Sequence, residues 1–552
     1  MTNIVGRIFG FISVIGIIAL VPSCANPEID YVAQGDIYYE QGQVTEAIIA
    51  YTTAIQFDPN NAEAYDKRGY IYGKQGKYDK AIIDYTRAIE IDPSYALAYN
   101  DRGIAYGNQG EYDSAIDDFN KAIEIDPDYA DAYNNRGITY GRKGEYDKAI
   151  ADCTTAIEID PNHALAYNNR GINYGKKKEY DKAIADFNKA IELAPNYADA
   201  YHNRGITYEK KGEYDKAIAD FTKAIELAPN YADAYHNRGD TYVKQWEHDK
   251  AIADYTSVIR LDPNNAEAYH SRGDIYVKQG EYAKAIADYT SVTEIDPNNA
   301  EAYHSRGDIY VRQGEYDKAI ADFTTVAEID PDNVEAYHSR GDIYVRQGEY
   351  DKAIADYTSV TEIDPSNAKA YNDRGLVYEK KGEYDAAIAD FTKAIGLAPD
   401  YVLAYNNRGV AYGKDEEYVK AIADFTKAIE LAPNYADAYN NRGIIYGKQG
   451  EYDKAIANFN TAIIIDPNHF LAYNNRGIAY YERGEYTTAF ANLNKGIELV
   501  PTYAEAYFYR GLVYSAVGGY NTEAIADFER CIELSQDPDR IAEAQQQIEA
   551  LQ

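Results

Sequence analysis

Five histidines, His202, His236, His270, His304 and His338, stand one 34-residue step apart, and the last four are each followed four residues later by Asp240, Asp274, Asp308 and Asp342. On a helix, residues four apart share a face. An imidazole beside a carboxylate can act as half of a metal site or as a pH-responsive hold on a ligand, because it titrates close to neutrality. Two ligands per helix leave a metal incomplete, and no three-histidine or cysteine-containing set accompanies them, so neither metal nor cofactor is expected. Val243, Val277, Val311 and Val345 continue the band, followed by the cations Lys244, Lys278, Arg312 and Arg346. A second row consists of Asn135, Asn169, Asn203, Asn237, Asn407, Asn441 and Asn475. A side-chain amide both donates and accepts, so such a row can hold an extended peptide backbone or can satisfy neighbouring groups of its own chain. The segments from Glu301 to Asp322 and from Glu335 to Asp356 are identical, and recent duplication is therefore a competing account of the band's regularity.

Other reactive types fall into place as structure. Fourteen arginines recur at one repeat position, from Arg68 to Arg510, with a recurrent aspartate such as Asp84, Asp118, Asp186 or Asp220 sixteen residues after its arginine. The spacing predicts an ion-pair ladder between helices. Cys153 replaces an aromatic residue and Cys531 a small one, which predicts two buried thiols rather than redox centres. Trp246, the single tryptophan, stands where other copies carry glycine and reads either as a packed ring or as a binding anchor. No glycine-rich phosphate loop, Ser-His-Asp set or metal motif is present, so no catalysis is expected. A net charge of −35 repels phosphate backbones, and nucleic acid is discounted as a partner.

The elements that position these residues are set by the repeat. Glycine recurs from Gly35 to Gly511 in fifteen copies without a slip, and proline follows from Pro59 to Pro501. Each unit reads Tyr-x-x-Arg-Gly-x-x-Tyr, then Ala-x-x-x-Phe/Tyr, then Pro, as in Tyr65, Arg68, Gly69, Tyr72, Ala81, Tyr85 and Pro93. Apolar positions at helical spacing predict helices over 62–75 and 78–91, with Gly76 as a left-handed cap between them and Pro93 as the stop. One hairpin cannot bury its own apolar face, so the units must stack. The unit resembles the tetratricopeptide repeat in length and landmarks over residues 29–534, with arginine in place of the usual aliphatic residue before glycine. That resemblance implies an all-α, right-handed superhelical solenoid of about 15 tandem helix-turn-helix repeats, its first helices lining a concave groove that binds extended segments of other proteins. It argues against a chaperone adaptor, because the basic carboxylate-clamp positions hold Asn or His with Ile or Asp, and against a glycosyltransferase, because no non-repeat segment is long enough for a catalytic domain.

The two ends read differently. Residues 1–24 form a signal peptide, with an apolar run of about fourteen residues that is too short to span a bilayer. The run ends Leu20-Val21-Pro22-Ser23-Cys24-Ala25, which resembles a bacterial lipobox with Pro22 as a departure. Lipidation of Cys24 would place the protein on a membrane facing the periplasm or cell surface. Cleavage by ordinary signal peptidase and an uncleaved anchor are the other readings. Residues 25–28 are a short linker, and 535–552 a capping helix whose Ile541, Ala544, Ile548 and Leu551 cover the last repeat.

Overall fold

A computed structural model describes residues 30–552, which form thirty-one helices. Two compact units, up to Ala268 and from Tyr269 onward, are described separately. Within each unit the helices form hairpins stacked in two layers. First helices of adjacent repeats touch one another, as Ala130–Arg142 touches Ala164–Lys176 and Ala436–Lys448 touches Phe470–Glu482.

Repeat nine shows why the chain folds this way. The Asn299 side chain accepts the Ala302 backbone N–H at 3.0 Å and opens the first helix, Ala300–Gln313. Gly314, at φ 75°, ends it, and the N–H groups of Gly314 and Glu315 close on the carbonyls of Val311 and Tyr310. Three copies lack this glycine, yet Lys178, Trp246 and Glu416 keep the left-handed conformation at φ 63°, 63° and 59°. The second helix, Tyr316–Ile329, stops before Asp330-Pro331, where proline cannot continue it.

The helices meet at Gly307, where an added Cβ would lie 2.9 Å from Cε1 of Phe323. Phe323 and Ala319 are fully buried and pack on Ile343 of the next repeat, so each hairpin's core is completed by its neighbour. At the same approach in repeat four, Cys153 Sγ replaces the ring.

The arginine series forms the ladder its spacing predicts. Arg306 donates from Nε and Nη2 to both oxygens of Asp322, at 2.9 and 2.7 Å, and from Nη1 to Thr290 of the preceding repeat at 3.0 Å. The hydrogen bonds to Asp322 hold the Arg306 guanidinium above its ordinary pKa. In repeat fourteen the partner is the neutral Asn492, at 2.7 Å, and burial instead lowers Arg476.

At the C-terminus the helix Pro538–Leu551 lays Ala544, Ile548 and Leu551 on Phe508, Phe528 and Cys531. Arg540 sits 4.2 Å from the Phe508 ring centre and pairs with Glu505 at 2.8 Å.

Candidate functional site

The first-helix layer carries a polar seam built from two positions of each repeat, two and three residues before the invariant glycine. The residue two before glycine in one repeat meets the residue three before glycine in the preceding repeat. Asn135 donates its Nδ2 to Oδ1 of Asn100 at 3.0 Å, and Asn169 and Asn203 do the same to Asn134 and Asn168 at 2.9 and 3.1 Å. In the second unit, Asn407, Asn441 and Asn475 donate to Asn372, Asn406 and Asn440 at 3.0, 3.1 and 3.0 Å. The asparagine row is therefore an inter-repeat ladder, and one N–H of each amide is already engaged by its own chain.

The histidines occupy the acceptor position of this seam and differ among themselves. His202 is 6 % exposed, with Tyr231 Oη 3.1 Å from its Nδ1 and Asn237 Nδ2 2.8 Å from its Nε2. Burial holds its imidazole below the ordinary pKa. Its nitrogens are thus fully used within the first unit, and no aspartate follows it four residues on. His236 lies 3.7 Å from Asp240 and 3.6 Å from Glu267, edge-on to Tyr255.

In the second unit His270, His304 and His338 lie 3.7, 3.8 and 3.6 Å from Asp274, Asp308 and Asp342. These separations are too long for hydrogen bonds. The aspartates are anchored instead by the aromatic position of the second helix: Tyr255, Tyr289 and Tyr357 each donate to Asp240, Asp274 and Asp342 at 2.6 Å. Phe323 supplies no hydroxyl to Asp308, and burial raises that carboxyl above its ordinary pKa. Tyr51 makes the same bond to Asp36 at 2.7 Å in repeat one. The sequence signal for this anchor is tyrosine rather than phenylalanine sixteen residues after the glycine, which holds in four of the five repeats where aspartate follows the glycine, with Phe323 the exception.

The seam breaks where the donor changes. Ser305 and Ser339 stand in the asparagine position opposite His270 and His304, and Nε2 of both histidines is buried without a hydrogen-bond partner. The nearest acids, Glu301 and Glu335, are each 4.0 Å away. At the far end of the band Asp373 restores the step at 3.0 Å from His338 Nε2, with Lys369 2.9 Å from the same carboxylate. Burial opposes ionisation of Asp373, but the hydrogen bonds from His338 and Lys369 hold it below the ordinary carboxylate range. Asn474 faces Tyr509 and leaves both amide atoms unpartnered, and Asp66 faces Asp101 with Oδ1 unpartnered. Apart from Nδ1 of His248, every unpartnered buried side-chain atom among the described residues lies at a break of this seam.

The remaining candidates are dispersed. Lys244 pairs with Glu209 across one repeat, whereas Lys278, Arg312 and Arg346 project into solvent. Among the described residues no group of three or more His, Cys, Asp or Glu is placed to hold a metal ion. Trp246 is 79 % exposed, so the packed reading of its ring does not hold. Burial pushes the Cys153 thiol up to about 12 and the Cys531 thiol up to about 11, as inert thiols require. Cys24 and the rest of the leader lie outside the described residues, and among the described residues no helix is long and apolar enough to cross a membrane.

Comparison with known proteins agrees with this architecture. Sequence models described as TPR repeat match nine segments, beginning at 35–76 and 69–110 and ending at 477–518. Models described as Tetratricopeptide repeat match, among others, 130–163, 198–231 and 368–469 in three consecutive copies, and also 153–185, 221–253 and 458–491. No curated protein matches the chain. Among solved structures, a tetratricopeptide repeat protein from Parabacteroides merdae is 23% identical, covering 45% of this chain and 98% of its own, at a TM-score of 0.41. MamA is 35% identical over 30% of this chain and 96% of its own, at 0.28. YrrB, described as a TPR protein with an unusual peptide-binding site, is 28% identical over 34% of this chain and 96% of its own, at 0.28. Matched by these models through most of its length, the chain belongs to the tetratricopeptide-repeat family.

Proposed function

We propose that this protein is a non-catalytic interaction scaffold of the bacterial cell envelope, lipid-anchored through Cys24, that holds an extended segment of a partner protein against the first helices of repeats eight to ten. The observation that carries the reading is the broken seam: Nε2 of His270 and of His304 is buried with no partner, flanked by Asp274, Asp308, Glu301 and Glu335. A buried polar atom left unsatisfied costs about 1–3 kcal/mol, and a peptide carbonyl or amide laid across these positions would remove that cost twice at one-repeat spacing. Ser305 and Ser339 stand where the other steps carry asparagine, and neither places a hydrogen-bonding group on these nitrogens. Affinity in such a site accumulates from many small contacts along stacked repeats. A related reading makes the protein a non-catalytic subunit of an envelope assembly, secretion or glycosylation system, and the same surface serves both.

The test is cross-linking and affinity capture from native membranes, comparing wild type with a chain carrying His270→Ala, His304→Ala and His338→Ala. Partners retained by wild type and lost by the variant support the reading. An unchanged set of partners contradicts it. Globomycin treatment, or Cys24→Ser, should move the protein out of the membrane fraction, and full retention there would contradict the lipid anchor.

A further inference from the structure

A second break of the seam lies in repeats two and three, which carry no member of the histidine band, and its chemistry is different. At the neighbouring steps of this unit the contact is amide to amide, one donor to one acceptor. Here both residues are aspartates, Asp66 and Asp101, which line the same cavity and are acceptors only when ionised. Asp66 is only 4 % exposed. Its Oδ2 accepts from Tyr95 Oη at 3.3 Å, while its Oδ1 is buried with no partner. Asp101 accepts from Asn100 Nδ2 at 2.9 Å.

Both carboxylates line a cavity of about 800 Å³ on the first-helix side of repeats one to four, walled by Tyr70, Tyr95 and Tyr129 among other rings. Five carboxylates and two lysines face this space. Neither lysine supplies the missing donor. Lys67 is held by Asp36 at 2.6 Å and by Glu63 at 2.9 Å, and Lys74 sits 5.2 Å from the centre of the Tyr70 ring. The cavity is therefore acidic, aromatic-walled and short of a hydrogen-bond donor at one buried oxygen.

We infer that the Asp66–Asp101 step is a receptor for the guanidinium of an arginine side chain presented by a partner polypeptide. A guanidinium is planar, permanently charged and carries five N–H donors, so one group can reach the orphaned Asp66 oxygen and the Asp101 carboxylate together. Its flat face stacks on tyrosine, which an ammonium does less well. A metal ion fits poorly, since among the described residues no group of three or more His, Cys, Asp or Glu is placed to hold one. The inference rests on the first-helix layer being a binding face, but it is independent of the histidine band.

Protonation supplies a second signature. Burial, together with the Asp101 charge, pushes the Asp66 carboxyl up to about 7. The groups facing it are Asp101, Glu63, Lys67 and Tyr95. Arginine binding requires the ionised form, so affinity should rise from pH 6 to pH 8 and be accompanied by proton release.

The experiment is saturation-transfer NMR on the full-length protein with N-acetyl-arginine amide, N-acetyl-lysine amide and the neutral isostere N-acetyl-citrulline amide. Asp66→Asn is the diagnostic variant, because asparagine occupies this position in repeats three to five, where the fold accepts it. The expected result is transfer to the arginine probe, weaker transfer to lysine, none to citrulline, and an affinity loss of about tenfold in Asp66→Asn, the equivalent of one charge-assisted hydrogen bond. Asp101→Asn should weaken binding as well. Equal transfer to arginine and citrulline, no transfer to arginine, or an affinity unchanged in both variants would overturn the inference. Each of these outcomes leaves the histidine-band reading standing, because that reading is judged by partner capture.

Discussion

The arginine ladder allows a quantitative test at repeat nine. Asp322 is 5 % exposed and its two oxygens accept from Nε and Nη2 of Arg306. Arg306→Leu removes both bonds and leaves a carboxylate buried without its counter-charge, which costs about 3–5 kcal/mol. Thr290 is not stranded, since its hydroxyl also donates to the Ile286 carbonyl at 2.7 Å, so the penalty comes from Asp322 alone. Replacing both partners, Arg306→Leu with Asp322→Leu, leaves no orphan and should recover to within about 1 kcal/mol of wild type or better. Asp322→Asn should cost only about 1–2 kcal/mol, because asparagine already serves this role for Arg442 at 2.9 Å and Arg476 at 2.7 Å. The assay is urea unfolding followed by helical circular dichroism, with hydrogen exchange to localise the loss. Repeats interact mainly with their neighbours, so the damage should centre on repeats eight to ten. A midpoint unchanged in Arg306→Leu, or a double variant no more stable than that single one, would refute the reasoning.

Three further outcomes are expected. Asp66 carries a native pKa of about 7 against an ordinary 3.8, so the folded state binds more protons between these values and stability falls as pH rises through that window; Asp66→Asn should abolish this slope in urea titrations and add about 1–3 kcal/mol at pH 8. Asn474 is fully buried with both amide atoms unpartnered, and Asn474→Leu should stabilise by about 1–2 kcal/mol in the same assay, whereas destabilisation would mean the amide has a partner. In a chain carrying Cys24→Ser, Cys153 and Cys531 should resist an aromatic disulfide reagent at pH 8 and both react once urea unfolds the chain; rapid labelling of the folded protein would contradict their burial.

The fold was legible because every unit repeats the same physical solution. Gly307 must be glycine for the Phe323 ring to approach, Gly314 must take a left-handed conformation, and Pro331 must end the helix, so three small signals recur in phase along the chain. The Arg–Asp ladder was legible for the same reason, since both partners keep a constant spacing. The seam was only half legible. Its asparagines were visible as a row, but the donor of each step lies 35 residues from its acceptor, one repeat plus one position, and periodicity at 34 hides that offset. The pairing of Asp240 with Tyr255 was hidden differently, because tyrosine and phenylalanine are equivalent in a hydrophobic reading and only the hydroxyl distinguishes them. The Asp66–Asp101 step carries no signal in the sequence, because aspartate is ordinarily an exposed residue and only the fold encloses Asp66.

The central claim, that partners bind the first-helix face of repeats eight to ten, is tested most directly by site-specific photocross-linking. A benzophenone amino acid is placed at Ser305, in the break of the seam, and in a second chain at Glu328, exposed on the second helix of the same repeat. The account predicts that the Ser305 probe captures one extended peptide segment in membranes and that this product disappears with His270→Ala and His338→Ala. Capture of the same segment from Glu328, or a Ser305 product indifferent to the histidines, would contradict it.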